Sequence, residues 1–124
     1  MNYSELYKSA HAAGMAAGNE SVPVPMVVGS PSSFMGNDLD LSKQTYFVEG
    51  GVCGFAWVHL PKAVGPFVKW LKENRKGHKS YQSGWDIWVG EFGQSMQRKE
   101  AYASAFAKVL DTAGIDAYAD SRMD

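Results

Sequence analysis

The chain has 124 residues, 45% of them hydrophobic and 13% aromatic, with a net charge of −1 and one cysteine. That composition supplies one core without staples and is too apolar for a disordered chain. The near-zero charge excludes a global field that would draw in nucleic acid or an anionic membrane, and the lone Cys53 excludes an internal disulfide.

The expected organisation is a single domain over 1–124, with 1–44 an N-terminal helix and irregular extension and 45–124 an α+β core. The first twenty residues carry no basic region followed by an apolar run, so no signal peptide is expected. No apolar run approaches the roughly 18 residues that span a bilayer. The expected location is the cytoplasm, with no membrane partner.

Residues 3–18 read as a helix, with Leu6, Ala10, Ala13 and Ala17 at helical spacing, weakened by Gly14 and ended by Gly18. Residues 19–44 read as a long connection, because Pro23, Pro25 and Pro31 exclude regular helix and central strand. Within it 24–28 suits a short edge strand, and Phe34 and Met35 sit in a polar, turn-rich stretch over 30–43. Residues 45–48 and 52–59 then read as a hairpin turning at 49–51. Strand 52–59 sorts its side chains by size: Val52, Gly54, Ala56 and Val58 point one way, and Cys53, Phe55, Trp57 and His59 point the other. Pro66 opens a second helix with Phe67, Trp70 and Leu71 on one face, closed by Gly77. Segments 79–82 and 85–92 suit a second hairpin. Ser95 suits the N-cap of a third helix over 96–113, whose stripe is Tyr102, Phe106, Val109, Leu110 and Ala113. Gly114 followed by Ile115 fits a Schellman stop before a strand over 115–119. From residue 52 the order is β-α-β-β-α-β, so the expected fold is ferredoxin-like, an α+β sheet with two helices on one face.

Two clusters suggest binding. Lys69, Lys72, Arg75, Lys76 and Lys79 lead into Tyr81 and Trp85, the pairing of cations and rings that phosphate neutralisation and base stacking require. Phe55, Trp57 and Trp88 (or Trp85 in its place) form an aromatic strand face that would stack bases if it were open. The bland reading of the first is a solvated helix face. The bland reading of the second is that large rings mark the core, leaving the small face exposed or covered by residues 3–18. We expect the bland reading of both.

Chemistry is thinly represented. Cys53 and His59 share a strand face, but six residues of strand set them roughly 20 Å apart, beyond the contact a thiol nucleophile needs with its base. Cys53 is therefore expected to be a buried structural residue. His11, His59, His78 and Cys53 never fall at metal-ligand spacings, and the 37–40 stretch starts like a calcium loop but lacks its glycine and final glutamate. No metal and no cofactor are expected. The turn at Gly90, Glu91 and Gly93 enters a helix N-terminus, yet Glu91 would repel a phosphate, and a tight connection explains it. Asp111, Asp116, Asp120 and Asp124 make the C-terminus acidic, either a solvated tail or a segment lying against the basic run of this molecule or a neighbour.

The segments VPVPMVVG, YFVEGGVCGFAWVHLPKA and GQSMQRKEAYASAFAKVLDTAGIDAYADSRMD resemble a family of short uncharacterised proteins of tailed bacteriophages and prophages. The resemblance implies a viral origin and expression in an infected bacterial cell, and it supplies no catalytic residues. The stretch IWVGEFGQSMQRKEAYASAFAKVLDTAGIDAYA is similar to half of a SPOR domain, a ferredoxin-like module that binds peptidoglycan glycan strands. The expectation is a small phage-encoded, non-enzymatic binding or assembly protein with a host or phage macromolecule, or itself, as partner. The alternatives are a single-stranded nucleic-acid-binding domain using 69–88, and a small enzyme centred on Cys53, Glu91 or a histidine.

Overall fold

Three helices and a four-stranded antiparallel sheet make up the α+β architecture of this chain, seen in a computed structural model that describes residues 1–22, 26–28, 46–48 and 53–124. The expectations for 30–43, including Phe34, Met35 and the 37–40 stretch, and for the turn at 49–51 lie outside the described residues.

Helix α1 (Tyr3–Glu20) starts at Asn2, whose side chain accepts from the Glu5 amide. It does not stop at Gly18. Gly14 and Gly18 are buried, and their missing side chains admit neighbours: a Cβ on Gly14 would lie 2.7 Å from the Tyr102 ring, and one on Gly18 would strike Phe92. The glycines are close-approach positions rather than helix breakers, which is why the apolar stripe of this helix looked thin.

Strands β1 (Met26–Val28) and β2 (Tyr46–Val48) pair with each other as a separate antiparallel ribbon. The expected hairpin between 45–48 and 52–59 is therefore corrected: β2 takes β1 as its partner. Strand β3 (Gly54–Leu60) leads to α2 (Pro66–Glu73), then β4 (His78–Lys79), β5 (Trp85–Trp88), α3 (Met96–Thr112) and β6 (Tyr118–Met123). Strand β5 ends at Trp88, earlier than the expected 92, and Phe92 and Gly93 bend away with φ of 69° and 56°. The last strand begins at Tyr118 and runs to Met123, so Asp120 of the expected acidic tail lies in the sheet, while Asp111 lies in α3.

The sheet order is β4-β5-β3-β6, with every neighbouring pair antiparallel. Helix α3 begins at Ser95, whose hydroxyl accepts from the Arg98 amide. It ends in a Schellman motif: Ile115 N–H donates to Leu110 O, Gly114 N–H donates to Asp111 O, and Gly114 supplies the left-handed φ of 86°.

The helices and the small strand face build the core. Ala56, Val58 and Leu60 of β3 and Ile87 of β5 pack with Ala10 of α1, Phe67, Val68 and Leu71 of α2, and Tyr102, Phe106 and Leu110 of α3. Each large side chain buried here contributes roughly 1.5–3 kcal/mol. The expectation that large strand residues mark the core is thus corrected in part: Trp57 is buried, but the apolar cluster with the helices forms on the small face. Small residues on β3 leave volume that α3 and α2 fill with large ones, and packing constrains the sum rather than either contributor. The helix lying alongside α3 is α1, while short α2 reaches α1 through ring contacts of Tyr3 with Phe67 and Tyr7 with Trp70. Among the described residues no helix is long and apolar enough to cross a membrane.

Candidate functional site

The sheet face turned away from the helices brings together Phe55, Trp57, Trp88 and Tyr118 with His59, His78, Asp86 and Arg122. The cause is register. Strand alternation puts Phe55, Trp57 and His59 on one face of β3. The β3–β5 ladder sets Trp57 opposite Trp88 and His59 opposite Asp86. The β3–β6 ladder sets Phe55 opposite Arg122, Trp57 opposite Asp120 and His59 opposite Tyr118. His78 of β4 stands opposite Asp86.

These residues form two adjoining groups. In the first, Trp57 and Trp88 stack with centroids 4.8 Å apart and planes 14° from parallel, Phe55 leans on Trp88 at 5.6 Å, and the exposed His78 ring lies 5.9 Å from Trp88. The Arg122 guanidinium sits 5.6 Å from the Phe55 centroid and 5.7 Å from that of Trp88, an arrangement favoured by the ring quadrupole. Lys99, buried on α3, places its ammonium 5.5 Å from the Phe55 centroid and donates to Gly54 O. In the second group, His59 Nδ1 and Asp86 Oδ1 are 2.6 Å apart, and Tyr118 packs on the imidazole.

Exposure grades across the face. Trp57 is 2% exposed, and His59 and Asp86 are buried. Phe55 and Trp88 are half-buried, while His78 and Arg122 are exposed. Three buried polar atoms, Trp57 Nε1, Trp88 Nε1 and Asp86 Oδ2, have no hydrogen-bond partner among the described residues. Leaving such groups unpaired is costly; the other unpartnered buried polar atom among the described residues is Arg98 Nε on α3.

The sequence-derived residues separate onto two sides. Phe55, Trp57 and Trp88 come together as one stacked cluster. Trp85 does not join them: opposite Leu60, it packs on the helix side, donates its Nε1–H to Lys76 O at 2.8 Å, and carries the Lys72 ammonium 5.4 Å above its ring. Lys69, Lys72, Arg75, Lys76 and Lys79 are all exposed, along the outer face of α2 and into β4. Lys72 also donates to Ala63 O, and Lys76 lies over the Tyr7 ring. Tyr81 is 76% exposed on the β4–β5 turn. The basic run and the aromatic face meet at the β4 edge, where His78 and Lys79 are consecutive.

Cys53 is exposed, which corrects the expectation of a buried structural thiol. It forms an isolated bridge with Ser95 at the mouth of α3, where β3 has not yet entered the core. No group of three or more potential metal-ligating side chains occurs among the described residues.

Sequence reasoning missed the His59–Asp86 pair and the role of Arg122. The signal for both was present in strand parity, but it needed the β3–β5 and β3–β6 registers. Equally unforeseen was a polar knot on the helix side. The Tyr102 hydroxyl and His11 Nδ1 share a 2.5 Å hydrogen bond between α3 and α1. Burial pushes the Tyr102 hydroxyl well above the ordinary tyrosine range, with the charge of Glu91 and then Tyr7 adding to it. Tyr7 is raised by burial first and by Glu91 second.

No protein-family model, curated protein or solved structure matches this chain. The reading of its function rests on the geometry.

Proposed function

We propose that this chain is a non-enzymatic binding protein that holds single-stranded nucleic acid on the sheet face away from its helices. The observation that carries the reading is the Phe55–Trp88 ring pair on the two central strands, backed by the stacked Trp57 and overlaid by the Arg122 guanidinium. Half-buried rings on a rigid sheet offer bases a stacking surface, and a cation over them offers a phosphate contact. Trp57 acts as the support beneath this surface and Trp88 as the ring that meets the ligand. The exposed cations of α2 and β4 extend the path around the β4 edge.

The strand order and its antiparallel pairing support a ferredoxin-like plan, in which each β-α-β unit leaves a gap that a strand of the other unit fills. That plan leaves one sheet face free of helices, the face on which a stacking platform belongs.

The test is a tryptophan-fluorescence titration with uridine- and thymidine-rich oligonucleotides at low and near-physiological salt. Expected is quenching with an affinity that falls steeply as salt rises. Trp88→Ala weakens binding by roughly tenfold or more, from a stacking loss of about 1–3 kcal/mol per base. Lys69→Ala with Arg75→Ala lowers the salt slope without changing base preference. Absence of binding at low salt by folded protein sinks the proposal, as does full affinity in Trp88→Ala.

A further inference from the structure

The two edges of the sheet are unequal. β4 is two residues long, too short to template another strand, whereas β6 runs over six residues, and no described strand pairs with its outer side. The sequence of β6, Tyr-Ala-Asp-Ser-Arg-Met, lacks the proline or lysine that commonly blunts an exposed edge. Tyr118 and Met123, near its two ends, are 47% and 68% exposed.

The hydrogen-bond parity of that edge is defined. Asp124 N–H donates to Cys53 O at 3.1 Å, so 124 is an inward-bonding position, and the alternation of an antiparallel ladder makes Tyr118, Asp120 and Arg122 inward-bonding as well. Ala119, Ser121 and Met123 therefore turn their backbone groups outward. The Val89 N–H bond to Ala56 O fixes the same parity from the β5 side of β3.

We propose that β6 is the interface through which two copies of this chain join their sheets edge to edge, related by a two-fold axis at Ser121. An antiparallel pairing centred there sets Ser121 against Ser121 of the second copy, and Ala119 against Met123. All of these are outward-bonding residues, so the ladder closes. The same register sets Asp120 against Arg122 of the second copy, twice by symmetry, in the non-hydrogen-bonded positions where side chains approach most closely. A two-fold interface demands self-complementarity, and the Asp-Ser-Arg triplet meets that demand, with a small residue at its centre and opposite charges at its ends; like charges there would not. In the single chain Asp120 Oδ1 accepts from the Ser121 N–H at 2.8 Å. Pairing exchanges that bond for one to the second copy and frees the carboxylate for Arg122. The result joins two four-stranded sheets into one, with both aromatic faces on the same side. The interface shares Arg122 with the nucleic-acid proposal, but it rests on the strand edge rather than the rings, and its test reads mass without nucleic acid.

The experiment is multi-angle light scattering on a size-exclusion column across a concentration series of the full chain. Expected is the mass of two chains at high concentration, declining to one on dilution. Ser121→Pro removes an outward N–H and leaves the β3 ladder intact, so it yields a folded protein that is monomeric at every concentration. Asp120→Arg sets like charges opposite each other and is likewise monomeric. Asp120→Arg combined with Arg122→Asp restores opposite pairs and regains the dimer mass. The proposal is overturned if the unaltered chain stays monomeric throughout, if Ser121→Pro still dimerises, or if the charge swap fails to rescue the single variant. Circular dichroism confirms folding in each case, and should Ser121→Pro unfold, the charge-swap pair decides alone.

Discussion

On the helix side of the sheet, Ala56 and Val58 leave space that Tyr102, Phe106 and Leu110 of α3 fill, and Met96 of α3 covers Gly54; on the other side, Phe55, Trp57 and His59 carry the bulk themselves. Both sides contain buried residues, but by different means. The helix side is an interdigitated apolar cluster drawn from three helices and two central strands. The aromatic side buries Trp57, His59 and Asp86 with polar atoms left over. Unpartnered buried polar atoms occur in both layers, with Arg98 Nε on α3, and it is their clustering at Trp57, Trp88 and Asp86 that sets the aromatic side apart.

The largest expected effect tests whether stability is concentrated on the helix side. Phe106 is fully buried at the centre of that cluster and contacts Tyr7 and Tyr102. Phe106→Ala should lower stability by about 4 kcal/mol, from lost transfer energy plus the cavity. Trp88→Ala removes a larger ring that is only half-buried and should cost about half as much by the same reasoning. Urea denaturation measures both, and equal losses would erase the contrast between the two faces.

Next in size is the polar layer. Asp86→Ala strips the carboxylate from a fully buried position and leaves His59 Nδ1 without its partner, a loss of about 2–3 kcal/mol. Asp86→Asn keeps a group that can bond to Nδ1 and should cost clearly less. If the two variants melt alike, the hydrogen bond contributes nothing beyond shape, and the second group of the aromatic face is packing.

The smaller close-approach effect sharpens the helix side. Alanine is a better helix former than glycine by about 1 kcal/mol, yet Gly14→Ala would drive a methyl to 2.7 Å from the Tyr102 ring. Overpacking costs typically about 1–3 kcal/mol, so the net change should be a loss of about 1 kcal/mol. A gain in stability on Gly14→Ala would show that α1 and α3 are not in contact at that turn.

How much of this was legible in the sequence follows from the range over which each signal acts. The N-cap Ser95, the Gly114 stop, the opening Pro66 and the β-turn before Trp85 were readable because capping and turn chemistry involve residues only a few positions apart. The sorting of β3 by side-chain size was readable for the same reason. Which face became the core was not, because the answer lies in α3, forty and more residues away, where Tyr102, Phe106 and Leu110 supply the missing volume. Gly14 and Gly18 looked like weak points in a helix because their use depends on Tyr102 and Phe92. The aromatic cluster was anticipated as Phe55, Trp57 and one of two tryptophans, and the β3–β5 register selects Trp88. Arg122 and Asp86 entered the site through strand pairings that no local pattern encodes.

The last prediction concerns ionisation on the helix side and leaves neutral-pH stability unchanged. An unfolded tyrosine loses its proton near pH 10. Tyr7 and Tyr102 hold theirs to higher pH in the fold, because burial disfavours the phenolate and Glu91 repels it. A folded value above the unfolded one means that their contribution is fully present below about pH 10 and is lost as pH rises through the raised folded values. Absorbance at the phenolate band should therefore show a late step above the ordinary tyrosine range that coincides with loss of the circular-dichroism signal. Glu91→Gln removes the lesser of the two main causes and should move that late step modestly to lower pH. Phe92 at the α1 contact is untouched by the change, so the helix packing should persist at neutral pH. Ionisation of Tyr7 and Tyr102 near pH 10 in a protein that stays folded would mean that the α1–α3 seam is open to water.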